Sequence, residues 1–306
     1  MGVSYIGLSS IEWERRISRL YDNLYSCTIC PRNCKVDRYK HGKSICGMDN
    51  RLKIASINLH FGEEPPISGT KGSGTIFFSG CPLKCKFCQN YPISQLKNGK
   101  YYYEEELADK LIQLQEKGAH NINLVTPTHF IPQIVKTLYL ASKKGLNIPV
   151  VYNSGGYESV ESLKCLDGIV DIYMPDIKYA DNEKSRKLSA VNNYWDVVKP
   201  ALKEMYRQVG DLVVDKKGIA EKGIIIRHLV LPNNMSDTER IIDFIKDNFS
   251  RKTVISLMNQ YFPAYKAVDD QLINRPLSVQ EYENMVQYLE QNGFENAFIQ
   301  EPKVIN

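Results

Sequence analysis

Three cysteines lie close together in the segment SGCPLKCKFCQN, namely Cys81, Cys85 and Cys88. They follow the run GTIFFS at 74–79, which predicts a strand, so the thiols are expected at the carboxyl end of that strand. Three thiolates on one loop can ligate three irons of a [4Fe-4S] cube and leave the fourth iron open to another ligand. A structural zinc site would need four ligands, and this loop contains no fourth Cys or His. A zinc knuckle or three incidental thiols remain the alternative.

Four further cysteines lie upstream, in CTICPRNCKVDRYKHGKSIC: Cys27, Cys30, Cys34 and Cys46. Four thiolates at this spacing can surround zinc or a second iron-sulfur cluster, and so short a segment with few apolar residues would need metal to fold. His41 lies within the segment and offers a replacement for one cysteine. The CxxCxxxC part is also typical of ferredoxin ligation, which would make the segment an electron relay or an auxiliary site that anchors substrate. Both metals stay open.

Composition narrows the classes of protein to which the chain can belong. With 306 residues, 43% hydrophobic and 24% charged, it is long enough for one large domain with or without an appendage. The net charge of +4 is small and its signs alternate, so nothing indicates nucleic-acid binding. No apolar run reaches the roughly 18 residues of a membrane span, and no secretory signal is recognisable. We therefore expect a cytoplasmic protein whose thiols serve metal or redox chemistry.

Short β-branched runs alternate with amphipathic helical stretches from Gly74 onward, which predicts parallel strands joined by crossover helices. The last helices are expected to begin at the N-caps Ser236 and Ser278, and DLVVDKKGIA at 211–220 predicts a hairpin. NAFIQ at 296–300 predicts a short edge strand. The six strands are predicted at 74–79, 121–126, 148–153, 168–174, 223–231 and 253–259. Six βα units fit either an incomplete (β/α) barrel or an open doubly wound sheet.

The cysteine loop resembles the signature of radical S-adenosylmethionine (SAM) enzymes, including the aromatic Phe87 before the third cysteine. Further stretches, among them HFGEEPPISGTKGSGTIFFSGC, VYNSGGY and DGIVDIYMPDIKY, look like PflX-like proteins, relatives of pyruvate formate-lyase activating enzyme, over most of residues 25–265. The resemblance implies an α/β fold, the partial (β/α)6 TIM-like barrel of that superfamily. We expect an N-terminal Cys-rich extension at 1–60 and the barrel at 61–306.

The resemblance also implies an activity. In that superfamily a [4Fe-4S] cluster, reduced by a donor such as flavodoxin or ferredoxin, cleaves SAM to a 5'-deoxyadenosyl radical that abstracts hydrogen. Family analogy favours activation of a glycyl radical enzyme. Direct modification of a small molecule or peptide is the alternative, and a non-catalytic zinc-binding scaffold is an alternative of a different class.

Candidate SAM contacts lie where the predicted strands end. Asp176 and Lys178 share strand parity, and by resemblance to the activating enzymes they and Arg227 contact SAM; the alternative is an Asp176 to Arg227 salt bridge. At the third strand the resemblance places Asn153, Ser154 and Gly155 near the ribose. The second strand ends in TPTH in place of a glycine-rich segment, so hydroxyls and carbonyls of Thr126 and Thr128 are the candidates there.

Other residues of potential chemical interest have simpler explanations. His129 is expected as a helix-entry residue and His228 as a satisfied core histidine. Cys165 is expected as a buried hydrophobe, with donation of hydrogen to a substrate radical as its functional alternative. Met258 or Gln260 may stand where the activating enzymes offer SAM a histidine on the sixth strand.

Overall fold

A computed structural model describes residues 2–40, 44–294 and 296–301. None of the helices in this part of the chain is both long and apolar enough to span a membrane. The described strands are β1 Leu52–His60, β2 Ser73–Phe78, β3 Lys100–Tyr102, β4 Ile122–Val125, β5 Val150–Ser154, β6 Ile172–Ile177, β7 Val213–Val214, β8 Ala220–Leu229, β9 Val254–Met258 and β10 Ala297–Ile299. The described α-helices are α1 Ser10–Asp22, α2 Pro65–Ser68, α3 Tyr91–Ser94, α4 Glu104–Glu116, α5 Ile131–Lys143, α6 Val160–Lys164, α7 Asn182–Ser189, α8 Tyr194–Val209, α9 Thr238–Asn248 and α10 Val279–Gln291.

The strands form one sheet that does not close. Its order is β10-β9-β8-β6-β5-β4-β2-β1-β3, and β7 pairs with β8 as the predicted hairpin. The run from β2 through β9 is parallel, β10 adds a parallel edge strand, and β1 and β3 are antiparallel. Helices lie between successive parallel strands. This architecture confirms the partial (β/α)6 barrel.

Strand alternation divides the interior into an apolar and a polar part. Side chains near the amino ends of the parallel strands, including Val151, Ile172 and Val254, form an apolar cluster with Ile67 of α2. The opposite faces of the strands pack against the helices, where Leu107, Leu111 and Leu114 of α4 are buried as their spacing predicts. Polar side chains of the same inward parity are therefore left for the carboxyl ends of the strands.

The N-terminal segment is joined to the barrel by a strand that the sequence analysis did not predict. β1 pairs antiparallel with β2, with Ile54 opposite Phe78 and His60 opposite Ser73. The division of the chain at residue 60 stays a prediction, and β1 lies on its N-terminal side. Helix α1, capped by Ser9, packs against α5.

Two local predictions were wrong. The strand predicted at 168–174 runs instead from Ile172 to Ile177, because Gly168 adopts a left-handed φ of 72° and a turn follows α6. Ser236 does not cap α9; its hydroxyl accepts a hydrogen bond from Leu231 N–H, and Asp237 is the N-cap residue. Ser278 does cap α10, with Glu281 completing a capping box as predicted. The edge strand β10 is also confirmed.

Candidate active site

A cavity of about 500 Å³ opens at the carboxyl ends of the parallel strands. The cysteine loop that follows β2 lines one end of it, and polar side chains from β4, β5, β6 and β8 line its walls. The lining residues include all the predicted ones: Cys81, Cys85, Cys88, Thr126, Thr128, Asn153, Ser154, Gly155, Asp176, Lys178, Arg227, Met258 and Gln260. The topology thus brings together residues that are far apart in sequence.

The cysteine loop is held against the end of helix α7. The N–H of Lys84 donates to the carbonyl of Ser189 at 3.1 Å, and that of Lys86 to the carbonyl of Leu188 at 2.8 Å. The hydroxyl of Ser189 donates to the Sγ of Cys85 at 2.9 Å. The loop is therefore positioned by a helix about a hundred residues downstream, and one of its sulfurs receives a hydrogen bond from that helix.

The electrostatic environment of Cys85 favours a cationic ligand. Burial raises the pKa of its thiol, and the Lys178 ammonium and the Ser189 hydrogen bond act in the opposite direction. A buried thiolate needs positive charge nearby, which a metal centre supplies. Within the described ranges no three His, Cys, Asp or Glu side chains converge into a site for a single metal ion. A cube differs from such a site, since each cysteine ligates a different iron.

Asp176 and Lys178 form an ion pair in the cavity wall, with Nζ 3.2 Å from Oδ2. The hydroxyl of Tyr194 accepts from the Lys178 N–H at 3.0 Å and donates to the carbonyl of Asp176 or of Gly155, so the backbone here is braced. The Oδ1 atom of Asp176 is buried and has no hydrogen-bond partner among the described residues. Buried acceptors are rarely left unsatisfied, so this oxygen fits a ligand that carries a donor group.

Arg227 pairs with two glutamates that the sequence analysis did not single out. Its Nε donates to Glu64 at 2.8 Å and its Nη2 to Glu63 at 2.9 Å. Glu63 also accepts from the Asn123 amide at 3.1 Å. The alternative salt bridge between Arg227 and Asp176 is therefore not the pair that forms. Glu63 and Glu64 lie just before α2, which carries them under the barrel.

Replacement of Arg227 by Met should destabilise the fold by about 3 to 5 kcal/mol, because it leaves two buried carboxylates without their cation. Urea unfolding measures the loss. The matched control is Arg19→Met, which removes an exposed pair with Glu161 and should cost about 1 kcal/mol or less. Equal losses in the two variants would show that the buried pair contributes no more than a surface one.

The carboxyl ends of β4 and β5 carry backbone features that allow close approach. A Cβ on Gly155 would lie 2.9 Å from the Leu83 side chain of the cysteine loop, so only glycine fits without movement. Thr126 has a φ of 59°, a region that β-branched residues rarely adopt, and its N–H donates to the Asn153 carbonyl at 2.9 Å. Strained residues of this kind concentrate at functional sites.

Thr128 does not present a free hydroxyl to the cavity. Its Oγ1 donates to Glu158 at 2.6 Å, and the Tyr152 hydroxyl donates to the other carboxylate oxygen at 3.0 Å. Burial raises the pKa of Glu158 to about 7, although these hydrogen bonds act to lower it. Glu158 is thus a buried carboxyl between the cavity and the protein interior that the sequence analysis missed.

The stability of the protein should fall as the pH rises from about 5 to 7. The pKa of folded Glu158, about 7, exceeds its ordinary value of 4.5; the unfolded chain therefore binds fewer protons in this window, and the proton favours the folded state. Urea unfolding at several pH values should show a flatter profile for Glu158→Gln. The exposed Glu290→Gln serves as control. A profile of Glu158→Gln that matches the wild type would contradict the assignment.

The N-terminal cysteines also lie near one another. Cys27, Cys30 and Cys46 are buried and Cys34 is half-buried. Burial raises the pKa of Cys27, and the neighbouring Cys34 and Cys46 raise it further. The Cys27 N–H donates to the Val36 carbonyl at 2.9 Å, which closes the segment into a compact loop. His41 lies outside the described residues.

Comparison with known proteins identifies the family. The sequence model of the radical SAM superfamily matches residues 75–245, which is more than half of the chain. The chain belongs to the radical SAM superfamily. This membership supports SAM-dependent radical chemistry, and the family uses a [4Fe-4S] cluster.

Two curated relatives and one solved structure illustrate the similarity. An uncharacterized protein of Methanocaldococcus jannaschii is 36% identical over 275 residues, covering 87% of this chain and 74% of that protein. Pyruvate formate-lyase-activating enzyme of Listeria monocytogenes is 24% identical over 203 residues, covering 62% of this chain and 76% of the enzyme. SuiB of Streptococcus suis, solved bound to S-adenosylmethionine, has a TM-score of 0.50 and 14% identity and shares the fold; the similarity covers 73% of this chain and 48% of SuiB. The chain spans about half the length of that structure.

Three predicted residues lie away from the cavity of this radical SAM protein or have structural partners. His228 accepts or donates hydrogen bonds with the Ile177 carbonyl at 2.7 Å and Thr238 at 2.8 Å, and burial lowers its pKa to about 4. His129 contacts the Ser79 carbonyl at 2.8 Å at the entry to α5. Cys165 is buried at the end of α6 and does not line the cavity.

Proposed function

We propose that this radical SAM protein binds a [4Fe-4S] cluster at Cys81, Cys85 and Cys88 and cleaves SAM reductively. The observation that carries the proposal is the convergence of these three thiols with Asp176 and Lys178 on one cavity. When bound, the cluster and SAM supply a 5'-deoxyadenosyl radical that abstracts hydrogen. The chain itself orients the cosubstrate and limits access of water to it.

The residues of the cavity fit SAM. The unsatisfied Oδ1 of Asp176 would accept a hydrogen bond from a donor on the cosubstrate. Close approach at Gly155 lets the backbone of β5 contact a ribose, with Asn153 and Ser154 beside it. Lys178 supplies a positive charge, and Arg227 lines the same wall while held by its glutamates. Thr126 offers backbone groups; Thr128 acts through Glu158.

The substrate is proposed from relatedness. Because relatives named pyruvate formate-lyase-activating enzyme match 62% of the chain, we favour activation of a glycyl radical enzyme, with flavodoxin or ferredoxin as reductant. Modification of a small molecule or peptide is the second candidate, favoured by the size of the cavity, about 500 Å³. A persistent protein radical detected by electron paramagnetic resonance (EPR) after incubation with a partner would support the first, and a change of substrate mass without that signal would support the second.

We further propose a metal site at Cys27, Cys30, Cys34 and Cys46, within an N-terminal extension at 1–60. Support comes from the burial and mutual proximity of these thiols. Iron-sulfur and zinc occupants are both compatible with four thiolates.

Anaerobic iron and sulfide quantitation, with SAM cleavage assayed on the same preparation, tests the proposal. We expect about four irons per chain for the barrel site, and more if the N-terminal site also holds iron. Formation of 5'-deoxyadenosine should depend on a reductant. A preparation that contains zinc alone and cleaves no SAM would leave only a metal-binding scaffold.

A further inference from the structure

The N-terminal cysteine segment is in direct contact with the loop that carries the barrel cysteines. A Cβ on Gly80, the residue before Cys81, would lie 2.8 Å from the carbonyl oxygen of Cys46. Gly80 has a φ of 80°, so glycine is favoured here by both conformation and space. The last cysteine of one group therefore packs on the backbone that leads to the first cysteine of the other.

Arg32, which lies between Cys30 and Cys34, makes the second connection. Its Nε donates to the carbonyl of Pro82, inside the cysteine loop, at 2.7 Å. Its two terminal nitrogens donate to Ala190 at 2.5 Å and to Ser189 at 3.4 Å. One planar guanidinium thus binds the loop and the C-terminal end of α7 together, which a lysine ammonium cannot reproduce in the same geometry.

The end of α7 that Arg32 holds is the end that contacts the barrel site. Ser189 donates to the Sγ of Cys85 at 2.9 Å, and Ala190 has a left-handed φ of 53° that ends the helix. A cation at a helix C-terminus satisfies carbonyls that lack intrahelical partners. Loss of Arg32 would leave these carbonyls unpaired and release the group that donates to Cys85.

We propose that Arg32 is a positioning residue through which the N-terminal cysteine site sets the geometry and reduction potential of the barrel cluster. Metal bound by Cys30 and Cys34 would hold the short segment between them, and hence the guanidinium. A hydrogen bond to a cluster sulfur stabilises the more negative, reduced state, so retention of the Ser189 bond favours reduction. This inference rests on the two metal sites proposed above.

The experiment compares the wild type, Arg32→Lys, Cys34→Ser and the double variant after anaerobic reconstitution. Reductive titration and EPR spectra with and without SAM report on the barrel cluster, because SAM perturbs only the cluster that it binds. We expect each single variant to shift the barrel midpoint potential to more negative values and to slow SAM cleavage about tenfold or more, as loss of an outer-shell partner commonly does. The double variant should add little to either, since both changes act through one connection.

Arg19→Lys is the matched control, because Arg19 is exposed and paired only with Glu161 in the described part of the chain. An unchanged potential and SAM-dependent spectrum in Arg32→Lys would overturn the inference, and so would additive shifts in the double variant. If Cys34→Ser does not fold, Arg32→Lys decides alone, with its unfolding midpoint compared with that of the control. A wild type without barrel iron would refute the proposed function itself, whereas a loaded wild type that matches its variants would refute only this coupling.

Discussion

A Cys85→Ala variant is expected to form no detectable 5'-deoxyadenosine and to lose the iron and the spectrum of the barrel site. Cys85 is the most buried of the three barrel cysteines and accepts the hydrogen bond from Ser189. Without its thiolate two ligands remain for a cube that needs three from this loop. Iron analysis, the SAM-perturbed EPR signal and chromatography of the products measure the three losses.

The control for this variant is Cys165→Ala, which removes a buried thiol away from the cavity. It should retain full iron content and SAM cleavage, at a modest cost in stability. Iron bound at Cys27, Cys30, Cys34 and Cys46 should also persist in Cys85→Ala if those residues form a separate site. Retention of SAM cleavage in Cys85→Ala would refute the ligand assignment.

Replacement of Asp176 by Ala should weaken SAM binding about tenfold to a hundredfold while leaving the iron content unchanged. The reason is that hydrogen bonds to charged groups contribute about 1.5 to 3 kcal/mol, and the Oδ1 of Asp176 has no partner of its own in the described chain. Isothermal titration of the reconstituted protein with SAM measures the affinity.

Asp176→Asn keeps the shape of the side chain and one acceptor, so its loss of affinity should be smaller than that of Asp176→Ala. The exposed Asp109, which pairs with Lys144, provides the control Asp109→Ala. Loss of iron together with affinity would assign Asp176 to support of the cluster loop. Unchanged affinity would show that Asp176 is only a residue of the cavity rim.

The barrel could be predicted because its elements are coded by short-range patterns. Leu107, Leu111 and Leu114 recur at helical spacing, and the β-branched runs separated by such helices indicate parallel strands. Errors arose where a local signal competes with a tertiary one. The run at 168–174 is as apolar as a strand, but Ile169 and Val170 are buried in a turn, so hydrophobicity alone placed the strand too early.

Strand β1 was missed for a related reason. Its segment Leu52–His60 alternates weakly, and its pairing partner lies across the loop and helix α2. Pairing with an already formed β2, rather than a strong local pattern, makes it a strand.

By itself the sequence determined the fold class and the chemistry of the cysteine loop, since both depend on residue type and spacing over a few positions. It also marked Asp176 and Lys178, because strand parity directs them to the same side. Only the tertiary structure decided which groups surround them. The pairs Arg227 with Glu63 and Glu64, Ser189 with Cys85 and Arg32 with Pro82 join residues 50 to 164 positions apart. Such contacts leave no local pattern, because they form only when the chain has brought distant elements together.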